Sequence, residues 1–448
     1  MKEKLAELHI QWINKENRPS IITGVYLVIM LGIFPLFAGS RGYVNITGSK
    51  YVFFMAVSGV YLLALLICSL GRLRRGELPR FSLRLHWPQL LLLIYGLLSL
   101  ISALMSPYQD TVWLGCGRYE GMLTLAMYLA VFFAVAAFGR FRPLYLYLLS
   151  LVLLINDILA VWQLAGDNPL GLYPGSYDYF GGGAAYSGQF LGTIGNVGLL
   201  AALYCLAVPA FICYFCRNHR HDRFSWWLLA VAVFSIYVLL RSGVAAGILG
   251  LLAALALLPF LLPTSRRSRW LYLLLLLILL GAGLFFVKNY TGANTALQDA
   301  CAVLNGEADD ETGSGRVGIW RRTWPLLLER PLLGGGPDTL KERLDMVFVT
   351  QDEDSPIVRR TRVDNTHNEY LSIAVNTGLP SLAFYLAALI LTAVYCRKYH
   401  RSGAVAVLAV GMTAYCVQIF FSFSLCLVAP LFWIFWGMLL AEIKHAGE

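Results

Sequence analysis

The chain has 448 residues, 58% of them hydrophobic and 14% charged, which is more apolar and less charged than a soluble globule. This composition excludes a water-soluble enzyme and makes the bilayer the solvent for most of the chain. The formal net charge of +9 follows from basic residues in membrane-flanking loops, so it gives no ground for nucleic-acid binding.

Residues 1–20 read as a cytoplasmic N-terminal tail, either solvated or a short interfacial helix with Leu5, Leu8 and Trp12 on one face. No short apolar core with a small-residue cleavage site precedes the first long run, so that run is expected to stay as a helix. Twelve apolar runs then follow, at 21–38, 51–70, 86–105, 121–138, 143–164, 190–215, 225–240, 244–263, 269–287, 367–395, 403–423 and 427–442. Each approaches the roughly 17 to 25 residues that cross a bilayer as a helix. They are continuous and Leu-rich instead of alternating, which excludes a closed β-barrel. The expected fold is an all-α integral membrane protein of about twelve transmembrane helices. Nine of these fall in 21–287 and three in 367–448, the latter followed by a short tail. A large extracytoplasmic loop, 288–366, lies between helices 9 and 10.

Orientation follows from the basic residues, which cytoplasmic loops retain. With the N-terminus inside, the cytoplasmic segments hold 21 of the 35 Lys and Arg, the short outer loops hold four, and the long 288–366 segment holds ten. Both termini are therefore expected in the cytoplasm and the long loop outside.

In chain order, the first polar group of interest is GCGRYEG at 115–121. Arg118 and Glu120 could make site contacts there, or Tyr119 and its glycines could simply form a turn. Cys116 shares the outer side with Cys301, where an oxidising environment permits a bond if geometry allows it. Asn156 and Asp157 interrupt the fifth run and read as a helix break, an interhelical hydrogen bond, or the mid-helix polar group of a transporter. The loop LYPGSYDYFGGGAAYSG (171–187) has no Lys or Arg and reads as a sugar-contacting or plain connecting segment. CYFCRNHRH (213–221) has a zinc-like spacing but reads as a basic helix end.

Arg241, in IYVLLRSGVAAG, sits between two apolar runs with almost no loop. It is either an interfacial anchor or an anion site. The long loop adds Arg316, Trp320, Arg321, Arg322 and Trp324 in a helical pattern that stops at Pro331. Arginine forks suit phosphate oxygens. Asp352 to Asp354 resembles an Asp-x-Asp metal motif but reads as a solvated acidic run. No GxxxxGKS or GxGxxG supports ATP or dinucleotide use. His367, within DNTHNEY where the loop re-enters the membrane, can take a proton near neutral pH if its surroundings keep it uncharged.

The ordered set GRYEGMLTLAMYLAVFF (117–133), GTIGNVGLLAALY (192–204), LLRSGVAAGILGL (239–251), GRVGIWRRTWPLLLERPLLGGGPDTL and HNEYLSIAVNTGLPSLAFYLAAL resembles the O-antigen ligase and polymerase superfamily of bacterial lipid-linked glycan transferases, over about residues 85–440. The resemblance implies metal-independent, inverting glycosyl transfer from an undecaprenyl diphosphate-linked glycan to a glycan, lipid or protein acceptor. It implies chemistry on the outer side of the cytoplasmic membrane, with no cofactor expected. It implies His367 as general base and Arg241 and Arg316 as diphosphate ligands, with Arg321 in place of Arg316 if the helix register differs. Arg118, Glu120 and Asn368 are possible additional site residues. The arrangement looks more ligase-like. A polymerase joining lipid-linked repeat units is the alternative, and a flippase or other transporter is the reading from a different class.

Overall fold

A computed structural model describes residues 18–74, 86–173, 190–262, 265–351 and 358–447. The expected N-terminal interfacial helix, most of the 171–187 loop and Asp352 to Asp354 lie outside the described residues.

The helices are α1 (Arg18–Val28), α2 (Ile46–Leu73), α3 (Trp87–Leu104), α4 (Met122–Phe138), α5 (Pro143–Leu164), α6 (Val197–Asn218), α7 (Ser225–Arg241) and α8 (Ala245–Leu261). They continue with α9 (Arg266–Lys288), α10 (Thr295–Asn305), α11 (Arg316–Glu329), α12 (Glu369–Thr377), α13 (Leu379–Lys398), α14 (Gly403–Gln418) and α15 (Ala429–Gly447). Each of the twelve expected runs contains helix, though not over its full length. Among the described residues, seven helices are long and apolar enough to cross a membrane: α1 with its π-helical and 3₁₀ extension to Leu36, α2, α3, α5, α6, α9 and α13. The apolar helices α4, α7, α8 and α14 are shorter. The chain is a multi-pass membrane protein.

Two boundaries differ from the expectation for local reasons. The run expected at 190–215 becomes helical only at Val197, where the Asn196 side chain caps the helix by accepting from the Leu199 amide at 3.0 Å. The run 367–395 is split at Gly378, whose φ of 93° ends α12 and starts α13. Outside the bundle, the long loop departs from the all-α expectation in one place. Strands β1 (Val347–Gln351) and β2 (Val358–Arg362) pair antiparallel, with Val347 opposite Arg362.

The centre of the bundle is α6, α14 and α15, whose residues are apolar nearly all round and buried nearly all round. Small residues set their spacing. A side chain at Gly411 of α14 would collide with the Leu206 carbonyl of α6, and a Cβ at Gly250 of α8 would lie 2.5 Å from the Ala414 carbonyl of α14. Backbones this close gain packing that lipid cannot replace.

The polar pair in α5 is spent on tertiary structure. Asn156 Oδ1 accepts from the Thr193 amide at 2.8 Å, and Asp157 accepts from Tyr204 and Ser235, each at 2.7 Å. By contrast α9 buries no residue and presents its leucines outward. Gly411→Leu is expected to lower the thermal unfolding temperature in detergent, because overpacking a filled interface costs about 1–3 kcal/mol. An unchanged melting curve would contradict the close-packed centre.

Candidate functional site

Three loops meet at one end of the bundle: residues 105–121 between α3 and α4, the long segment after α9, and residues 419–428 between α14 and α15. They enclose a cavity of about 110 Å³ whose lining includes Arg118, Glu120, Asp338, Asp364, Glu369 and Phe423.

The first wall is GCGRYEG. Its backbone turns through positive φ at Gly115 (93°), Gly117 (93°) and Tyr119 (62°). A Cβ at Gly115 would strike the Asp338 carboxylate, so glycine is required for the approach. That approach lets the Cys116 amide donate to Asp338 Oδ2 at 2.8 Å. Arg118 Nε then pairs with Asp364 Oδ2 at 2.5 Å, and the guanidinium lies 5.1 Å from the centre of the Phe423 ring. The Glu120 carboxylate accepts from the Tyr128 hydroxyl at 3.1 Å and from the Cys426 amide.

The second wall is the Gly334-Gly335-Gly336 run. Its amides do not form a phosphate cradle. Gly335 and Gly336 donate to the Val375 and Asn376 carbonyls at 3.2 and 2.8 Å, and Gly334, at φ 63°, lies against the Asn376 backbone. Ser102 and Ser106 of the α3 end hold the same run by donating to the Leu333 and Gly335 carbonyls at 2.5 and 2.6 Å.

The third wall carries His367. Trp320 of α11 donates to the Thr366 carbonyl at 2.8 Å, and Asn365 Oδ1 accepts from the His367 amide at 3.0 Å. These contacts hold His367 at φ 50°, a left-handed conformation that costs a non-glycine residue roughly 1–3 kcal/mol. Tyr119 and Asp338 (φ 53°) share that region, so each of the three walls carries one such residue. The imidazole meets Phe423 edge-on at 5.0 Å. Among the described residues neither ring nitrogen has a hydrogen-bond partner, which leaves the ring free to accept a proton.

Burial, then the charges of Arg316 and Arg118, lower the His367 pKa to about 3, so the ring is neutral at physiological pH. Arg316 opens α11 and donates to the Gly313 carbonyl at 2.7 Å, while its buried Nε has no partner. The carboxyls move the other way. Burial pushes Asp338 up to about 6, partly offset by the Cys116 amide. Burial and the neighbouring Asp338 and Glu369 carboxylates raise Glu120 well above the usual range.

Of the residues expected from sequence, the structure brings Arg118, Glu120, Arg316 and His367 together. Arg321 is elsewhere: it is exposed and pairs with Asp310 at 2.6 Å, with Arg322 beside it at 3.6 Å. Asn368 caps α12, accepting from the Leu371 amide at 3.0 Å. Arg241 is exposed at the end of α7, with no hydrogen bond or ion pair among the described residues. It lies at the same end of the bundle as the cavity, because the α14 terminus beside that cavity reaches the start of α6 through Gln418 and the Gly198 carbonyl, 3.1 Å apart. Cys116 and Cys301 are free thiols with separate partners, Glu342 and the Lys288 carbonyl. Asp338, Asp364 and Glu369 were not expected as site residues, although each stands within a motif already singled out.

Asp338→Ala is expected to destabilise the protein by up to about 1–3 kcal/mol, the cost of leaving the half-buried Cys116 amide unpaired, and to expose residues 113–122 to limited proteolysis. Wild-type protection in that variant would contradict the clasp.

Residues 230–386 match the family model described as O-antigen ligase. The matched segment spans Arg241, Arg316 and His367 but not Arg118 or Glu120. No curated protein matches the chain.

Proposed function

We propose that this chain, a member of the O-antigen ligase and polymerase superfamily, is a glycosyltransferase that moves a glycan from undecaprenyl diphosphate to an acceptor hydroxyl outside the cytoplasmic membrane. The observation that carries this reading is a neutral, unpartnered imidazole that packs against Phe423 of the cavity lining and feels the charges of Arg316 and Arg118.

In the proposed step the acceptor oxygen attacks the sugar carbon bearing the diphosphate, from the face opposite the leaving group. The new carbon–oxygen bond forms as the carbon–oxygen bond to diphosphate breaks, which inverts the anomeric centre. The acceptor proton passes to His367, and the leaving diphosphate takes the bonding electron pair. Arg316 meets that developing charge with its unpartnered Nε, and Arg118 with the edge that Asp364 does not hold. Guanidinium groups fixed before the reaction stabilise a charge that grows in the transition state, so no step is assigned to a metal. Arg241, at the same end of the bundle, is assigned to the diphosphate as it arrives from the lipid.

A pKa of about 3 makes a weak base, but two of its three causes are arginine charges. A bound diphosphate offsets both, so the imidazole gains proton affinity once donor is in place. The acid limb of kcat, which reports the bound enzyme, is therefore expected at higher pH than that of kcat/KM, which reports the free enzyme. Coincident limbs, or a kcat/KM limb near the ordinary histidine value of about 6.5, would contradict this account.

Arg316→Gln is expected to reduce turnover by roughly 10²–10³-fold with the protein still inserted, and Arg321→Gln to leave it within a factor of a few. Equal losses in both variants would overturn the assignment of Arg316.

The ligase reading is preferred over the polymerase, as the sequence arrangement favours. Gel analysis of products separates them: a single shifted band marks one transfer per acceptor, and a ladder marks repeat-unit polymerisation. Transport draws less support, since Asn156 and Asp157 are held by Thr193, Tyr204 and Ser235.

A further inference from the structure

A second cavity, of about 760 Å³, opens between α8, α13 and α14. Its interior is apolar, lined by Leu257 and Phe260 of α8, Leu389 and Ile390 of α13, and Met412 and Val417 of α14. Its rim is basic: Arg269, Arg397 and His400 line it, and no carboxylate does. The rim lies at the bundle end opposite the catalytic cavity. His400 lies just before the start of α14, whereas Ile419, which lines the catalytic cavity, follows the other end of that helix. At a rise of about 1.5 Å per residue, α14 separates the two ends by roughly 22 Å.

The rim is also held in shape. Arg217 of α6 donates to the Leu261 carbonyl at 2.7 Å and to the Arg401 carbonyl at 2.6 Å, fixing the end of α8 against the α13–α14 turn. A groove with greasy walls, a fixed mouth and positive charge only at that mouth matches a ligand with a hydrocarbon chain and an anionic head.

We propose that this groove binds an anionic phospholipid, with an acyl chain running along α13 and α14 and the phosphate between Arg269 and Arg397. Charge complementarity selects this occupant. A polyprenyl tail descending from the catalytic end carries no charge at its far end to match the basic rim. A zwitterionic lipid would set its own ammonium near the arginines. The proposal rests on the groove alone and stands whether or not the glycosyltransfer reading does.

The test is native mass spectrometry of the delipidated full-length protein with phosphatidylglycerol or phosphatidylcholine added at equal concentration. Preferential retention of phosphatidylglycerol is expected. Arg269→Gln and Arg397→Gln should each weaken it by roughly fivefold, the worth of one basic residue against an anionic lipid. Ala393→Trp, at an exposed groove position on α13, should block retention without altering charge. Equal retention of both lipids, binding unaffected by the arginine changes or by Ala393→Trp, or one-for-one displacement of phosphatidylglycerol by undecaprenyl phosphate would each overturn the proposal.

Discussion

The site depends on a polar clasp between two loops more than two hundred residues apart in sequence. The Cys116 amide meets Asp338, and Arg118 meets Asp364. Glu120 ties the same turn to the Cys426 amide in a third loop. A hydrogen bond to a charged partner contributes about 1.5–3 kcal/mol, so it takes several such contacts together to offset the unfavourable backbone at Tyr119, Asp338 and His367. The clasp also explains why the turn is rich in glycine: any side chain at Gly115 would keep Asp338 out.

The clasp has an electrostatic consequence. It collects Glu120, Asp338, Asp364 and Glu369 around a cavity that also holds Arg118 and whose lining residue Phe423 meets the His367 ring. Backbone amides and Tyr128 hold Glu120, Asp338 and Glu369, leaving only Asp364 to pair with Arg118. Among the described residues no carboxylate forms an ion pair with Arg316, although Asp299 acts on it at longer range, and the arginine's charge also acts on the imidazole. On the proposed reading, one added phosphate group would offset the arginine charges, relieve the histidine and give the unpartnered Nε of Arg316 an acceptor.

Much of the bundle was legible in the sequence because lipid-facing and buried helices are both apolar and continuous. Residues 143–164 are one helix in both readings, and 121–138 shifts by a single residue. What escaped were features set by single residues or by tertiary contacts, such as the break at Gly378 and the late start at Asn196. Within the site, His367 and Arg316 stood out by residue type and position. Sequence placed Arg316 first with Arg321 as its substitute, and the folded chain adds that Arg321 is exposed and paired with Asp310. Asp338, Asp364 and Glu369 lay inside the motifs but did not stand out as acids, because acids in or beside a polar loop are normally solvated and theirs is a burial that only the folded chain creates. The β1–β2 ribbon was missed for a related reason: charged VRRTR does not read as a strand until it is paired with VFVTQ.

The central claim is that His367 takes the acceptor proton while arginines hold the leaving diphosphate. The most direct measurement is glycan transfer by purified protein in EDTA, from an undecaprenyl diphosphate oligosaccharide to a supplied acceptor, comparing wild type with His367→Ala. The account predicts transfer by the wild type with inverted anomeric configuration, and a loss of roughly 10²–10⁴-fold in the variant, the usual worth of a general base. Full activity in the variant, or a wild type that transfers only when a divalent cation is restored, would contradict it.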